Sequence, residues 1–137
     1  MKKYSFVPSF KKIFEEKIVW DLEHDLRLIA GSYFNLMENN RPIYLIAVQE
    51  RTTMPELMGL ISGNTKQLLE YISNYFKEMQ RQKKMIESDA NAEATAFLAL
   101  LYGYFSSAAL WGTLFIGLPK EEFIETGVRT FCNGIKI

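Results

Sequence analysis

The sequence predicts an all-α protein, an antiparallel bundle of about five to six helices that forms a single domain over residues 1–137. Apolar residues recur every three or four positions along most of the chain, which is the spacing of one helix face. The one run that resembles a strand, residues 43–48, follows Pro42 and is more typical of a short helix with proline at its first position. The chain is 48% hydrophobic and 23% charged, so a packed core is expected.

The first helical stretch begins near Ser9, a residue type that caps helices, and its apolar stripe continues to Met37. It is either one long helix or two, with Asp21 as the second cap. The sequence at residues 39–42 ends it, because asparagine favours helix ends and the residue before a proline resists the helical conformation.

Two further helices are predicted in the middle of the chain. The first covers residues 42–51. The second starts at Pro55, and its glycines predict a kink or a short interruption near Gly63. Beyond Gly63 the apolar and polar residues separate cleanly onto opposite faces as far as Arg81.

The last two helices follow a polar loop at residues 82–88. Asp89 is the expected cap of the first of them, which should end near Gly117. Pro119 opens the final helix, on which Glu125 and Arg129 form a favourable pair four residues apart. Gly134 is the expected C-terminal cap.

Residues 94–118 contain no charged side chain, and this stretch is long enough to cross a bilayer. Tyrosines, serines and glycines dilute the hydrophobicity of this stretch, and its flanks show no basic asymmetry. The central helix of a bundle or a subunit interface has the same composition. We therefore expect no membrane association, and a small membrane protein with one span near residues 94–118 is the alternative.

No catalytic, metal or cofactor site is predicted. The single histidine, His24, lies in a charged turn and should face solvent, and the single cysteine, Cys132, should be a buried, inert thiol. No phosphate-binding loop is present, and the formal net charge of zero disfavours a nucleic-acid surface. The sequence gives no positive support to a third interpretation, a helical enzyme whose substrate supplies the reactive groups.

Two patterns have both a structural and a functional interpretation. Six tyrosines lie on or near apolar stripes, where their hydroxyls either bond to one another or orient a ligand. Small residues in the uncharged stretch and at Gly127 allow helices to approach closely, inside a core or across a two-fold axis.

The order of several short segments resembles the C-terminal domain of the TetR family of bacterial transcriptional regulators. The segments are residues 25–29 (DLRLI), 38–42 (ENNRP), 55–57 (PEL), 89–94 (DANAEA), 97–103 (FLALLYG), 121–125 (EEFIE) and 134–135 (GI). Residues 4–14 (YSFVPSFKKIF) are similar to the junction that follows the DNA-binding module of that family, so residues 1–9 are interpreted as a remnant of this junction. The resemblance therefore implies a cytoplasmic regulatory domain without nucleic-acid binding through this chain.

The resemblance also implies a homodimer and a pocket for a small apolar effector in each protomer. The expected pocket residues are Phe14, Ile29, Tyr33, Tyr44, Gln49, Met54, Met58, Tyr71, Tyr75, Phe97 and Leu101. The expected interface, on the last two long helices, comprises Tyr104, Phe105, Ala108, Trp111, Gly112, Phe123, Ile124, Gly127, Val128 and Phe131.

Overall fold

A computed structural model describes residues 7–112 and 116–136, with side chains from residue 10 onward. These residues form six α-helices and no strand, which confirms the predicted all-α bundle. The helices are α1 (Val7–Lys12), α2 (Leu22–Asn39), α3 (Arg41–Gln49), α4 (Pro55–Arg81), α5 (Ala90–Trp111) and α6 (Lys120–Ile135). A π-helical turn, Ile13–Lys17, continues α1 and was not predicted.

The first helical stretch is two helices, and Asp21 divides them. The Asp21 carboxylate accepts a hydrogen bond of 3.0 Å from the backbone N–H of His24, which caps α2. Before it, Trp20 has a φ of +63°, a conformation that costs a residue with a side chain about 1 kcal/mol. The chain therefore turns sharply between the π-helical turn and α2.

Of the kink or short interruption predicted near Gly63, the interruption is wrong, because α4 runs without a break from Pro55 to Arg81. A glycine inside a helix costs about 1 kcal/mol. A break would instead leave up to four N–H and four C=O groups without partners at the new helix ends. Packing of the apolar stripe that includes Leu68 and Ile72 supports the continuous helix.

The ends of the last two helices differ from the prediction. Asp89 caps α5 as expected, accepting from the Ala92 N–H at 3.1 Å. However, α5 ends at Trp111 rather than near Gly117, because Gly112 takes a φ of +62°, which glycine adopts without strain. The predicted cap at Gly134 is also wrong. Helix α6 continues to Ile135, whose side chain is buried.

Helices α4 and α5 pack against each other as an antiparallel pair. Gln80 contacts Ser88 at the loop end, and Thr65 lies beside Tyr102 further along the pair. Helix α6 packs mainly on α2, where Arg27 and Glu125 form an ion pair at 3.2 Å. The predicted pair between Glu125 and Arg129 is present, at 3.8 Å.

The loop between α4 and α5 is partly built into the core. Met85 is fully buried, although the sequence indicated a polar, solvated loop. The Ile86 N–H donates a hydrogen bond of 2.7 Å to the Ile135 carbonyl, and Met85 pairs with Lys136 in a short antiparallel bridge. This contact ties the C-terminal end of α6 to the α4–α5 loop.

Candidate functional site

An apolar groove lies between α4 and α5 and opens to the surface. Its volume is about 290 Å³, at the low end of the range for small-molecule sites. Small side chains on α4, Ser62 and Thr65, leave the space that larger residues would fill. The groove is lined by Tyr33, Met58, Ile61, Ser62, Thr65, Lys66, Leu69, Leu98 and Tyr102.

The groove extends along α5 into a second space of about 250 Å³. Four lining residues are common to the two spaces, so they form one continuous surface; these are Thr65, Leu69, Leu98 and Tyr102. The second space adds Thr95 and Ala99. No aspartate or glutamate borders either space, which disfavours a cationic ligand.

Tyr33 of α2 and Tyr102 of α5 line the groove, and Tyr44 of α3 lies behind it. We call these three residues the groove tyrosines. The hydroxyls of Tyr44 and Tyr102 share one hydrogen bond of 2.8 Å. Tyr33 is 4% exposed and lines the groove, and no described residue forms a hydrogen bond with its hydroxyl. Burial, followed by electrostatic coupling to Tyr102 and Tyr44, raises the pKa of Tyr33 well above its ordinary value. Its hydroxyl is therefore a protonated donor at neutral pH.

A small cavity of about 30 Å³ lies behind the groove, between α3 and α4. It has room for about one water molecule. Ile61 borders both the cavity and the groove, and Tyr44 lines the cavity while its hydroxyl holds Tyr102 in the groove. The Tyr44–Tyr102 pair and Ile61 therefore separate the two spaces.

A second polar cluster lies at the junction of α2 and α4, and we call Asp25, Tyr75 and Trp20 the Asp25 cluster. The Asp25 side chain is fully buried and accepts hydrogen bonds from the Tyr75 hydroxyl at 2.6 Å and from the Val19 N–H at 3.0 Å. Burial, then the hydrogen bond to Asp25, raises the pKa of Tyr75 far above its ordinary value. The Trp20 ring stacks on Tyr75 with centroids 5.5 Å apart. Both carboxylate oxygens have a donor, so the cluster is closed.

The expected pocket residues fall into five environments. Tyr33 and Met58 line the groove, and Tyr44 stands behind it. Ile29, Phe97 and Leu101 belong to the hydrophobic core. Phe14 and Tyr71 stack on each other next to Tyr75, which belongs to the Asp25 cluster. Gln49 and Met54 are exposed and line neither the groove nor the small cavity behind it.

Sequence reasoning missed most of the α4 wall of the groove. Ile61, Ser62, Thr65 and Leu69 follow each other at helical spacing, which is also the pattern of an ordinary core stripe. The one available signal was the change from large apolar residues to Ser62 and Thr65 on that stripe.

The expected interface residues are divided between the core and the surface. Phe105 and Val128 are buried inside the protomer, and Phe131 packs against Phe97 with centroids 5.1 Å apart. Tyr104 and Phe123 stack on each other at 4.4 Å. Ala108, Ile124 and Gly127 are half-buried, whereas Trp111 and Gly112 are exposed.

The outer surface of α5 is apolar and uncharged, and we call it the α5 outer face. It includes Ala96, Ala99, Gly103 and Leu110, of which Leu110 is 44% exposed. Among the described residues, α5 is the one helix long and apolar enough to cross a membrane, and 33% of its most apolar window is buried. Phe97, Leu101 and Phe105 are buried inside the bundle on its other side. Residues 113–115 of the alternative span lie outside the described residues.

The described residues hold no group of three or more histidine, cysteine, aspartate or glutamate side chains that could bind a metal ion. His24 is exposed and Cys132 is buried, as predicted. Burial raises the pKa of the Cys132 thiol to about 11, so it stays protonated and unreactive at neutral pH. Within the described part of the chain, the lining of the groove includes no carboxylate, imidazole or thiol side chain.

Comparison with known proteins gives one informative similarity. The chain is 25% identical over 121 residues to the uncharacterized HTH-type transcriptional regulator YvkB of Bacillus subtilis (strain 168). The alignment covers 88% of this chain, and the chain spans 64% of the length of that protein. No protein-family model and no solved structure matches the chain.

Proposed function

We propose that this chain is the effector-binding and dimerising part of a TetR-type transcriptional regulator. The observation that carries the proposal is the open apolar groove between α4 and α5, which is lined by Tyr33 and by Tyr102, the hydrogen-bond partner of Tyr44. The similarity to an HTH-type transcriptional regulator supports a regulatory role rather than an enzymatic one.

The groove is the proposed site of a small, mostly apolar effector. An apolar molecule would displace water from Met58, Ile61, Leu69 and Leu98, and the buried area would stabilise the complex. The effector would bridge α4 and α5 and so bias their relative position. A ligand shifts a conformational equilibrium only by its difference in affinity for the two states.

An uncharged fluorescent probe, N-phenyl-1-naphthylamine, tests the groove. We expect its emission to rise on binding and the rise to be saturable. Ser62→Leu fills the groove and should weaken binding by about tenfold, since a pocket that is already filled excludes the ligand. Asn91→Leu adds the same side chain at an exposed position of α5 outside the groove and serves as the control. Equal binding by wild type and Ser62→Leu would contradict the proposed site.

Homodimerisation through α5 and α6 is the second part of the proposal. The α5 outer face lacks charge, and an apolar surface of this kind rarely stays exposed in a soluble monomer. Leu100 of α5 touches the position of Gly127 on α6, so the two helices present one continuous surface. The buried residues Phe105 and Val128 would support this surface from inside the protomer.

Light scattering on the purified chain without detergent tests the dimer. We expect about twice the monomer mass of 15.9 kDa. Gly103→Arg should give a monomer, because no atom lies within 4 Å of the added Cβ in the protomer but a partner helix would clash. Gly59→Arg, at an equally open position on α4, should remain a dimer. A wild-type monomer would refute dimerisation, and particles that only detergent disperses would favour the membrane alternative.

We propose that these residues do not bind DNA directly. The chain has 16 basic and 16 acidic residues, whereas affinity for DNA depends on an excess of lysine and arginine. The proposed localisation is cytoplasmic, as for any regulator that acts on bacterial DNA. An electrophoretic shift of random-sequence DNA by this chain at 150 mM salt would contradict the proposed lack of DNA binding.

A further inference from the structure

The polar groups of the groove restrict the chemistry of its occupant. Three phenol hydroxyls provide three O–H donors, and the bond between Tyr44 and Tyr102 uses one of them. Two donors remain, one from Tyr33 and one from the Tyr44–Tyr102 pair; the second belongs to Tyr102, which lines the groove, when Tyr44 donates to Tyr102. A hydroxyl donor that no protein group uses is available to an acceptor on a ligand.

Among the described residues, the one charged side chain that lines the groove is positive. This is Lys66, which forms no ion pair with a described residue. The nearest acidic residue along α4, Glu70, borders a neighbouring hollow and not the groove. A negatively charged group would therefore find hydrogen-bond donors and an attractive charge, whereas a protonated amine would be repelled by Lys66.

The shape of the groove restricts the rest of the molecule. Most of the remaining lining is apolar and consists of Met58, Ile61, Leu69 and Leu98. The two other polar groups are the hydroxyls of Ser62 and Thr65, and that of Thr65 already donates to the Ile61 carbonyl at 2.9 Å. A volume of about 290 Å³ lies at the small end of ligand sites and suits a molecule of about ten non-hydrogen atoms.

We infer that the effector is a small apolar monocarboxylate, whose carboxylate accepts hydrogen bonds from the Tyr33 hydroxyl and the Tyr44–Tyr102 pair. Its apolar body occupies the space between α4 and α5. This inference rests on the proposed function, because it assigns a ligand class to the same groove.

Isothermal titration calorimetry with three probes of equal chain length tests the inference at pH 7. The probes are octanoate, 1-octanol and octylamine, which each have eight carbon atoms and differ in the polar group at the end of the chain. Octanoate should bind about tenfold more tightly than 1-octanol, since a hydrogen bond to a charged group is worth about 1.5–3 kcal/mol. Octylamine should bind most weakly.

Two variants and one control assign the preference to named residues. Tyr33→Phe should lower the affinity for octanoate about tenfold and leave that for 1-octanol nearly unchanged, because the Tyr33 hydroxyl has no internal partner to lose. Lys66→Gln should reduce the ratio of octanoate to octylamine affinity. Tyr71→Phe, a half-buried tyrosine outside the groove, should change neither.

The outcomes separate the inference from the proposed function. If all three probes bind equally well, or octylamine binds best, the carboxylate assignment is overturned while the groove remains an apolar site. If none of the probes binds, and N-phenyl-1-naphthylamine does not bind either, both the assignment and the effector site are overturned. If Tyr33→Phe retains the full preference for octanoate, the head group does not lie at the groove tyrosines.

Discussion

The Asp25 cluster and the groove tyrosines place phenol hydroxyls in similar apolar surroundings, but only the first of these sites is closed. At the Asp25 cluster, the Tyr75 hydroxyl and the Val19 N–H each donate to one oxygen of the same buried carboxylate. At the groove, Tyr44 and Tyr102 bond to each other, and Tyr33 lines the open space without a hydrogen bond from its hydroxyl to a described residue.

This difference separates a structural polar site from a binding one. A buried polar network whose members are all paired fixes the chain in one arrangement, and here it holds the sharp turn at Trp20 against α4. A polar group that lacks a partner beside an open space is instead ready to bind a ligand. Loss of a single polar group should therefore lower the free energy of unfolding at the Asp25 cluster and leave it nearly unchanged at the groove tyrosines.

The largest effect is expected at the Asp25 cluster. Asp25→Ala leaves the Val19 N–H and the Tyr75 hydroxyl without an acceptor in the core, so the free energy of unfolding should fall by about 3 kcal/mol. Urea unfolding monitored by circular dichroism measures it. Asp25→Asn retains one acceptor and should recover part of the loss. A fall of less than about 1 kcal/mol for Asp25→Ala would show that the cluster does not hold the fold.

The sharpest form of the comparison removes one hydroxyl from each site. Tyr75→Phe deprives Asp25 of a donor and should lower the free energy of unfolding by about 1–2 kcal/mol. Tyr33→Phe should leave it unchanged or raise it slightly, because no internal hydrogen bond is lost. Urea unfolding of both variants, monitored by circular dichroism, measures the two changes in the free energy of unfolding. Equal losses at the two positions would remove the distinction between the sites.

The smallest effect is a pH dependence that comes from the core rather than from either site. Burial raises the pKa of Cys132 to about 11 from an ordinary value of 9.0. Its contribution to stability is therefore complete below pH 9 and is lost as the pH rises through 11. Thermal unfolding scans at pH 8 and pH 10.5 measure this loss. The difference in stability between the two pH values should be smaller for Cys132→Ala than for wild type. Tyrosine ionisation occurs in both proteins and cancels in the difference.

Features that depend on neighbouring residues could be predicted from the sequence. Asp21 and Asp89 cap α2 and α5 because a side-chain oxygen reaches a backbone N–H three residues ahead, whatever the rest of the fold does. The apolar stripe beyond Gly63 likewise identified the buried face of α4.

Features that depend on distant residues could not be predicted. Gly63 sits inside a continuous helix because packing outweighs its intrinsic cost, and Met85 is buried because the C-terminal end of α6 covers its loop. The groove arises where Ser62 and Thr65 fail to fill the space beside α5, which helical spacing alone does not reveal. Tyr33 was predicted to contact ligand, whereas Tyr75, predicted on the same grounds, lies in the closed cluster.

The most direct test of the account is methyl NMR of the methionines during titration with octanoate. Met58 lines the groove, Met37 borders the small cavity behind it, and Met79 and Met85 are buried in the core. We expect the Met58 methyl resonance to shift most and saturably, Met37 to shift less, and Met79 and Met85 to stay in place. Saturable shifts at Met79 and Met85 with none at Met58 would contradict the claim that the groove between α4 and α5 binds the effector.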